Sequence, residues 1–460
     1  MAITQRTSSD KDRELPPTEP TSYEPKRTLT FWKLCALTFA SVAGGPYGFE
    51  EAVGAGGPYL TLIGLLAVPF MWAIPNALMT AELATMMPEN GGHILWVDRA
   101  FGPFWSFQNS YSTLFATIFE GGLYPVMLLD YLNEFFHIHL STPMRIAAGV
   151  SVIAAVTLLN IRGTDVVGSA SVWFTIASLG PFILIILLGI SQFDPVRTIE
   201  AVPHTPYFNK FIIILLWSTS GFDMVGACAG EVEDPGKTFP VALGFSIGLT
   251  LLIDISSLAI GMSVVKDYPH WTDGTFMDVA EALGGQSLMT IFALGAAISV
   301  VGLLCTLLCS SSRIVYGMAM VGTLPKVFAT TSLTYGTPWV AILLNALLMT
   351  CVLFLPFSAL AEAEMWFYCF STIMKFAALC KLRVTMADRD RPYEIPMDVQ
   401  HLRWYCAIPM LLCLLVISLA DWKTHVVGVI GMVFAGACYY VSVYVKGHSG
   451  SLINFEVLDE

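Results

Sequence analysis

Apolar residues in this chain come in long runs separated by short polar connectors. They do not alternate in twos, as a strand would require. Runs of roughly 20 apolar residues predict helices buried on all sides and long enough to cross a lipid bilayer. Twelve such spans are expected, at 31–57, 59–87, 104–135, 143–160, 166–191, 208–232, 239–264, 285–316, 337–356, 359–380, 402–420 and 424–445. The connectors leave no room for an inserted soluble domain. Residues 1–29 are polar and proline-rich (Pro16, Pro17, Pro20, Pro25), which predicts a disordered tail, and 447–460 form a second short tail. The helical domain is expected at 30–446.

Composition agrees with that reading. Of 460 residues, 55% are hydrophobic and 13% charged, against about 25% charged in an average soluble domain. So little polar side chain cannot cover a soluble globule, so the expected solvent is lipid. The net charge of −12 speaks against nucleic acid as a partner, because phosphate binding needs clustered Lys and Arg. With the N-terminus inside, seventeen of the 23 Lys and Arg fall on the cytoplasmic face, five on the outer face, and Lys375 within a span. The positive-inside rule then supports an even number of spans and cytoplasmic termini. The ten cysteines contain no C-x-x-C pair and mostly sit in apolar runs, so neither a metal site nor a disulfide framework is expected. With no phosphate-loop pattern either, an enzyme is the weakest class, and no cofactor is expected.

Two spans are interrupted. The first loses helical character at Gly44, Gly45, Pro46, Tyr47 and Gly48, and the sixth at Ser218, Thr219, Ser220 and Gly221, followed by Phe222 and Asp223. Glycine favours unwinding, and proline removes a backbone donor. Breaks five helices apart are what two five-helix repeats of inverted topology produce, here 30–192 and 207–380, with two further helices after them. The plainer alternative is a kink in each span. Unwound backbone within a membrane needs protein or a water-filled cavity around it, which predicts a substrate cavity at mid-depth.

Acidic residues inside spans are costly and default to a functional reading. Glu120, Asp223, Glu50 and Glu51 are expected to converge on that cavity, with Glu82 and Glu231 nearer the cytoplasmic ends as gate or proton-path candidates. For one of Glu50 and Glu51 the alternative is helix-end stabilisation; for Glu120 it is a hydrogen bond within the bundle; for Glu82 and Glu231 it is a structural ion pair. Asp130 and Asp254 are read as structural or interfacial. Carboxylates in the first turn after the break would repel a substrate carboxylate, so a di- or triamine suits the site better than an amino acid does. Aromatic faces attract organic cations, and Tyr47, Phe222, Tyr124 and Tyr368 are the candidates.

Several strings carry a family resemblance. Gly44–Gly48, Glu231 through Pro240 (EVEDPGKTFP), Ser312-Arg313 with Gly322 through Pro325, and Arg391 through Pro396 (RPYEIP) resemble the amino acid–polyamine–organocation transporters. Within that superfamily, Gly44 through Glu51, Ala81 through Ala84, Pro88 through Gly92 and Phe101 through Trp105 are similar to the polyamine uptake transporters of plants and protists. The resemblance runs from about residue 30 to 445. It implies twelve helices, a five-plus-five inverted repeat, and proton-coupled uptake of small organic cations by alternating access. It also places Phe222 where the superfamily's substrate-covering aromatic stands, and Ser178 where many relatives carry a lysine. The coupling proton is therefore assigned to a carboxylate such as Glu120, Asp223 or Glu231, with sodium the alternative. Lys375 is expected to snorkel to the cytoplasmic edge, with an ion pair inside the bundle as the alternative. A carrier of cationic or neutral amino acids, a non-transporting nutrient sensor and a cation channel are the competing functions. The expected setting is a multi-pass protein of the plasma membrane or an endomembrane, with no obligatory protein partner.

Overall fold

A computed structural model of the chain describes residues 27–42, 45–136, 140–198, 207–272 and 274–447. Nearly all of these are helical: α1 (Phe31–Val42), α2 (Phe49–Val68), α3 (Ile74–Met86), α4 (His93–Phe101), α5 (Pro103–Phe136), α6 (Thr142–Ile161), α7 (Thr164–Gly189), α8 (Pro195–Thr198), α9 (Phe208–Trp217), α10 (Pro235–Val264), α11 (Thr275–Met320), α12 (Trp339–Thr350), α13 (Phe357–Thr385), α14 (Val399–Leu419) and α15 (Trp422–Gly447). Local chemistry sets several ends. Pro235 and Pro143 stand in the first turns of α10 and α6, where a missing amide costs nothing. The Asp398 side chain accepts the Gln400 amide at 3.2 Å and caps α14. Among the described residues no strand forms, and one isolated bridge pairs Leu29 with Val232.

Two long helices are each broken by one glycine. Gly57 (φ 78°) divides α2 and Gly285 (φ 64°) divides α11, which is where the apolar runs were expected to end or begin. Eight helices among the described residues are long and apolar enough to cross a membrane, and α1, α9 and α12 are shorter apolar helices. The 29-residue α13 is not among the eight; it carries Glu362, Glu364, Lys375, Lys381 and Arg383.

The burial pattern is that of a protein solvated by hydrocarbon. Trp173, Leu187, Leu252, Leu411 and Phe434 stand exposed on α7, α10, α14 and α15, whereas Asn76, Asn109, Glu82, Asp223 and Lys375 are buried. The bundle centre is built from α5 and α13, which pack along one another, with α1, α7 and α11 meeting beside them. Both interrupted segments open onto this centre.

Candidate functional site

The first interruption runs from the end of α1 at Val42 to Phe49. Gly48 precedes α2 with φ 88° and donates its amide to Glu50 Oε2 at 2.8 Å. The second interruption is longer than the sequence suggested: α9 stops at Trp217, and beyond Asp223 the chain continues as a tight 3-10 helix over Met224–Glu231 instead of an α-helix. The hydroxyls of Ser218, Thr219 and Ser220 donate back to the carbonyls of Ile214, Leu215 and Leu216, competing for the acceptors of the helical ladder. The chain turns at Gly221 (φ 103°), where a Cβ would lie 2.5 Å from the Ser41 carbonyl oxygen. The two interruptions therefore touch, and only glycine permits the approach.

Between them lies a cavity of about 30 Å³, room for roughly one or two water molecules. Of the residues expected from sequence, Tyr47, Glu120, Tyr124, Ser220, Gly221 and Tyr368 line it. Tyr124, one turn beyond Glu120 on α5, donates its hydroxyl to Glu120 Oε1 at 2.7 Å. Sequence reasoning missed Glu364 and Trp217, which line it too. Glu364 is buried, and its Oε2 has no hydrogen-bond partner. Among the described residues, no basic side chain lines the cavity. A fifth aromatic stands just behind: a π-helical turn at Pro69–Ala73 aims Trp72 so that its Nε1 donates to Ser220 Oγ at 3.0 Å.

Asp223 is fully buried but sits behind the lining. The Tyr368 hydroxyl donates to its Oδ1 at 2.7 Å, and Lys375 holds its Oδ2 in an ion pair. The expectation that Lys375 snorkels is therefore corrected. Its side chain is 1% exposed, faces into the bundle from α13, and lies 4.7 Å from the centroid of the Tyr368 ring. The buried Asp223 carboxylate, a charged partner within reach, turns the side chain inward. Below this pair, Ser371 Oγ donates to Asn109 Oδ1 at 2.9 Å and shares a hydrogen bond with Thr113, whose hydroxyl also meets His93 Nε2 at 3.1 Å. Phe222 is buried in the core and does not line the cavity.

Glu82 and Glu231 both lie in buried ion pairs at the end of the bundle where α1 begins. Arg313 reaches Glu231 Oε1 at 2.8 Å and also bonds Thr164. Asn90 donates to the same Oε1 at 2.9 Å, and the amides of Thr28 and Leu29 bond the Glu231 carbonyl at 3.0 and 2.9 Å. Arg383 clamps Glu82 with two nitrogens, assisted by Arg391 at 3.4 Å and the Ile395 amide at 3.0 Å. The strings that carried the resemblance thus meet here, since Pro88–Gly92, Glu231, Arg313 and Arg391–Pro396 come from four separate stretches of chain. Gly45, Pro46, Gly48, Glu50 and Glu51 do not line the cavity. Glu50 is buried against the Gly48 amide, and Glu51 pairs with Lys210 at 3.1 Å on α9. Gly44 lies outside the described residues. Asp130 is exposed and pairs with Arg145.

Comparison with known proteins adds a family. The sequence profile of the amino acid permease family matches residues 29–444. The chain is 36% identical over 420 residues to polyamine transporter PUT1 of Oryza sativa subsp. japonica, covering 90% of this chain and 79% of that protein. It is 35% identical over 410 residues to polyamine transporter RMV1 of Arabidopsis thaliana, covering 88% and 84%. A more distant relative, the vacuolar cationic amino acid transporter 8 of Arabidopsis thaliana, is 28% identical over 257 residues, 52% of this chain and 43% of that one.

Proposed function

The chain belongs to the amino acid permease family, and from that premise we propose that it imports polyamines such as putrescine and spermidine with protons, by alternating access. In this reading it crosses the membrane twelve times as two inverted five-helix repeats plus two helices, with both termini in the cytoplasm. The Glu82 and Glu231 ion pairs then form the cytoplasmic closure.

The observation that carries the substrate class is the charge balance of the cavity. Glu120 and Glu364 line it without a basic partner among the described residues, while Asp223 behind them is matched by Lys375. Once a cationic substrate supplies counterions to Glu120 and Glu364, three carboxylates against one ammonium leave two negative charges, the complement of a dication. Each ammonium–carboxylate hydrogen bond contributes about 1.5–3 kcal/mol. The rings of Tyr47, Tyr124, Tyr368 and Trp217 add a cation-attracting wall, worth about 0.5–2 kcal/mol for each well-placed face. An amino acid finds less. The Gly48 amide that would take its carboxylate is already held by Glu50, and among the described residues the lining offers no cation.

The cavity is too small for a diamine as it stands, so binding requires the lining to part. Alternating access supplies that motion, because the two interruptions that touch at Ser41 and Gly221 are the least regular points of their segments. Labelled spermidine uptake into proteoliposomes under an inward proton gradient, with leucine and arginine as competitors, tests the reading. Gradient-dependent uptake that leucine does not inhibit is expected. Uptake of arginine or leucine with no response to spermidine would leave the fold and remove the polyamine assignment.

A further inference from the structure

Proton coupling needs a group that binds a proton in one conformation and releases it in another. Most acids considered so far are engaged. Glu82, Glu231 and Asp223 are paired with arginine or lysine, and Glu120 and Glu364 face the substrate. One acid is left over. Asp254 on α10 is 1% exposed, and neither of its carboxylate oxygens has a hydrogen-bond partner. At 1.5 Å per residue it lies about 7 Å from the midpoint of a helix some 45 Å long, too deep to be interfacial.

Its neighbours share the condition. Thr250 and Ser257, one turn to either side, are also buried, and their hydroxyls are also without partners. Spacings of four and three put all three on one face of α10. One further turn along, Ser246 donates to the Cys35 carbonyl of α1 at 3.3 Å, so the polar stripe ends on the helix that leads into the first interruption. Among the described residues, no ion pair or hydrogen bond reaches Asp254 from the helices packed around α10. Lys33 of α1 and Asp165 of α7 pair with each other, Glu50 and Glu51 of α2 are held by Gly48 and Lys210, Glu82 of α3 by Arg383, and Arg313 of α11 by Glu231.

An ionised carboxylate so placed has neither counterion nor donor, so the closed conformation requires a neutral occupant of the site. Oxygen atoms from one helix face suit a single proton better than a metal ion, which needs ligands from several sides. We propose that Asp254 is a proton-binding site on α10, separate from the substrate cavity, and that its proton is the one exchanged during transport. Protonation forms one O–H bond and takes the side chain from −1 to neutral. The Thr250 and Ser257 hydroxyls are open stations for the transfer, and Ser246 ties the stripe to α1. The proposal rests on the proton-coupled reading above.

The test compares wild type with Asp254→Asn, which keeps shape and neutrality. Two measurements are made in proteoliposomes: accumulation of labelled spermidine on an inward proton gradient, and spermidine counterflow without a gradient. The expected result is counterflow within about twofold of wild type and gradient-driven accumulation at least tenfold lower. Accumulation unchanged in the variant would overturn the proposal, as would accumulation driven by sodium and lost with Asp254. Thr250→Val keeps the carboxyl and guards against a folding defect; it is expected to slow accumulation severalfold with counterflow intact. Infrared difference spectroscopy gives a readout independent of substrate. A carboxylic acid C=O band present in wild type and missing in Asp254→Asn is expected, and its presence in both overturns the assignment. If wild type moves no spermidine, the function above fails, and the infrared band still decides whether Asp254 holds a proton.

Discussion

Replacing Lys375 by methionine keeps most of the side chain's volume and removes its charge. Asp223 would then be left at zero exposure with one neutral donor, the Tyr368 hydroxyl at 2.7 Å. Breaking a buried pair by removing one partner costs about 3–5 kcal/mol, or about 150- to 5,000-fold in the folded-to-unfolded ratio at 1.36 kcal/mol per tenfold. Asp223→Asn alone strands the lysine and is expected to cost a similar amount. The double variant carries no unmatched charge, so most of the loss should return. Stability of the four proteins by denaturant unfolding in detergent completes a double-mutant cycle, with an expected coupling of about 2 kcal/mol or more. A lysine that merely snorkelled would lose little on becoming methionine, and its effect would add to that of Asp223→Asn. Single variants that each cost under about 1 kcal/mol and sum without coupling would refute the buried pair and, with it, the charge balance assigned to the cavity.

Other changes test the neighbouring parts. Glu364→Gln or Glu120→Gln removes one cavity charge and is expected to raise the KM for spermidine about 30-fold, equivalent to roughly 2 kcal/mol; an unchanged KM would place the amines elsewhere. Arg313→Gln cuts the Glu231 latch, and Cys228, buried in the adjoining 3-10 helix, should then react with a maleimide added from the cytoplasmic side; wild-type protection would show that the latch is not a closure. Gly317→Ala puts a Cβ 2.6 Å from the Gly91 Cα, and backbone cannot yield as a side-chain tip does. Overpacking of this kind costs about 1–3 kcal/mol, to be read as a lower melting temperature with unchanged KM.

Much of the fold was legible because lipid imposes simple rules. Spans show as apolar runs, and their interruptions show as glycine and proline, so Gly57 and Gly285 emerged as boundaries and Gly44–Gly48 as a break. The site was legible only as far as local sequence announces it. Tyr124 was expected only as a cation-covering ring, and its hydrogen bond to Glu120 follows because four positions on a helix are neighbours. Glu364 was missed because it follows Glu362 near the expected start of its span, where acids normally face water; α13 begins at Phe357 and carries Glu364 two turns inward. Lys375 was misread for another reason. Its distance from the helix end can be counted, but the face it occupies depends on Asp223, 152 positions earlier. The second half of the sixth span was also hidden, since nothing in Met224–Glu231 signals a 3-10 helix.

The residues that sequence missed or misplaced mostly share one helix face with Tyr368, which it did place. Glu364, Tyr368, Ser371 and Lys375 follow one another on α13 at spacings of four and three, and Arg383 stands two turns further on. Along that stripe the helix supplies a carboxyl to the cavity, the hydroxyl and ammonium that hold Asp223, a hydroxyl to Asn109 on α5, and the guanidinium that clamps Glu82. α13 contains neither glycine nor proline, whereas α2, α5, α7, α10 and α14 each contain a proline. It therefore has no built-in hinge. A tilt that widens the cavity at Glu364 must also shift Lys375 against the second interruption and Arg383 against its latch. The substrate acid, the counterion and the closure then respond as one body, and the interrupted segments supply the compliance that α13 lacks.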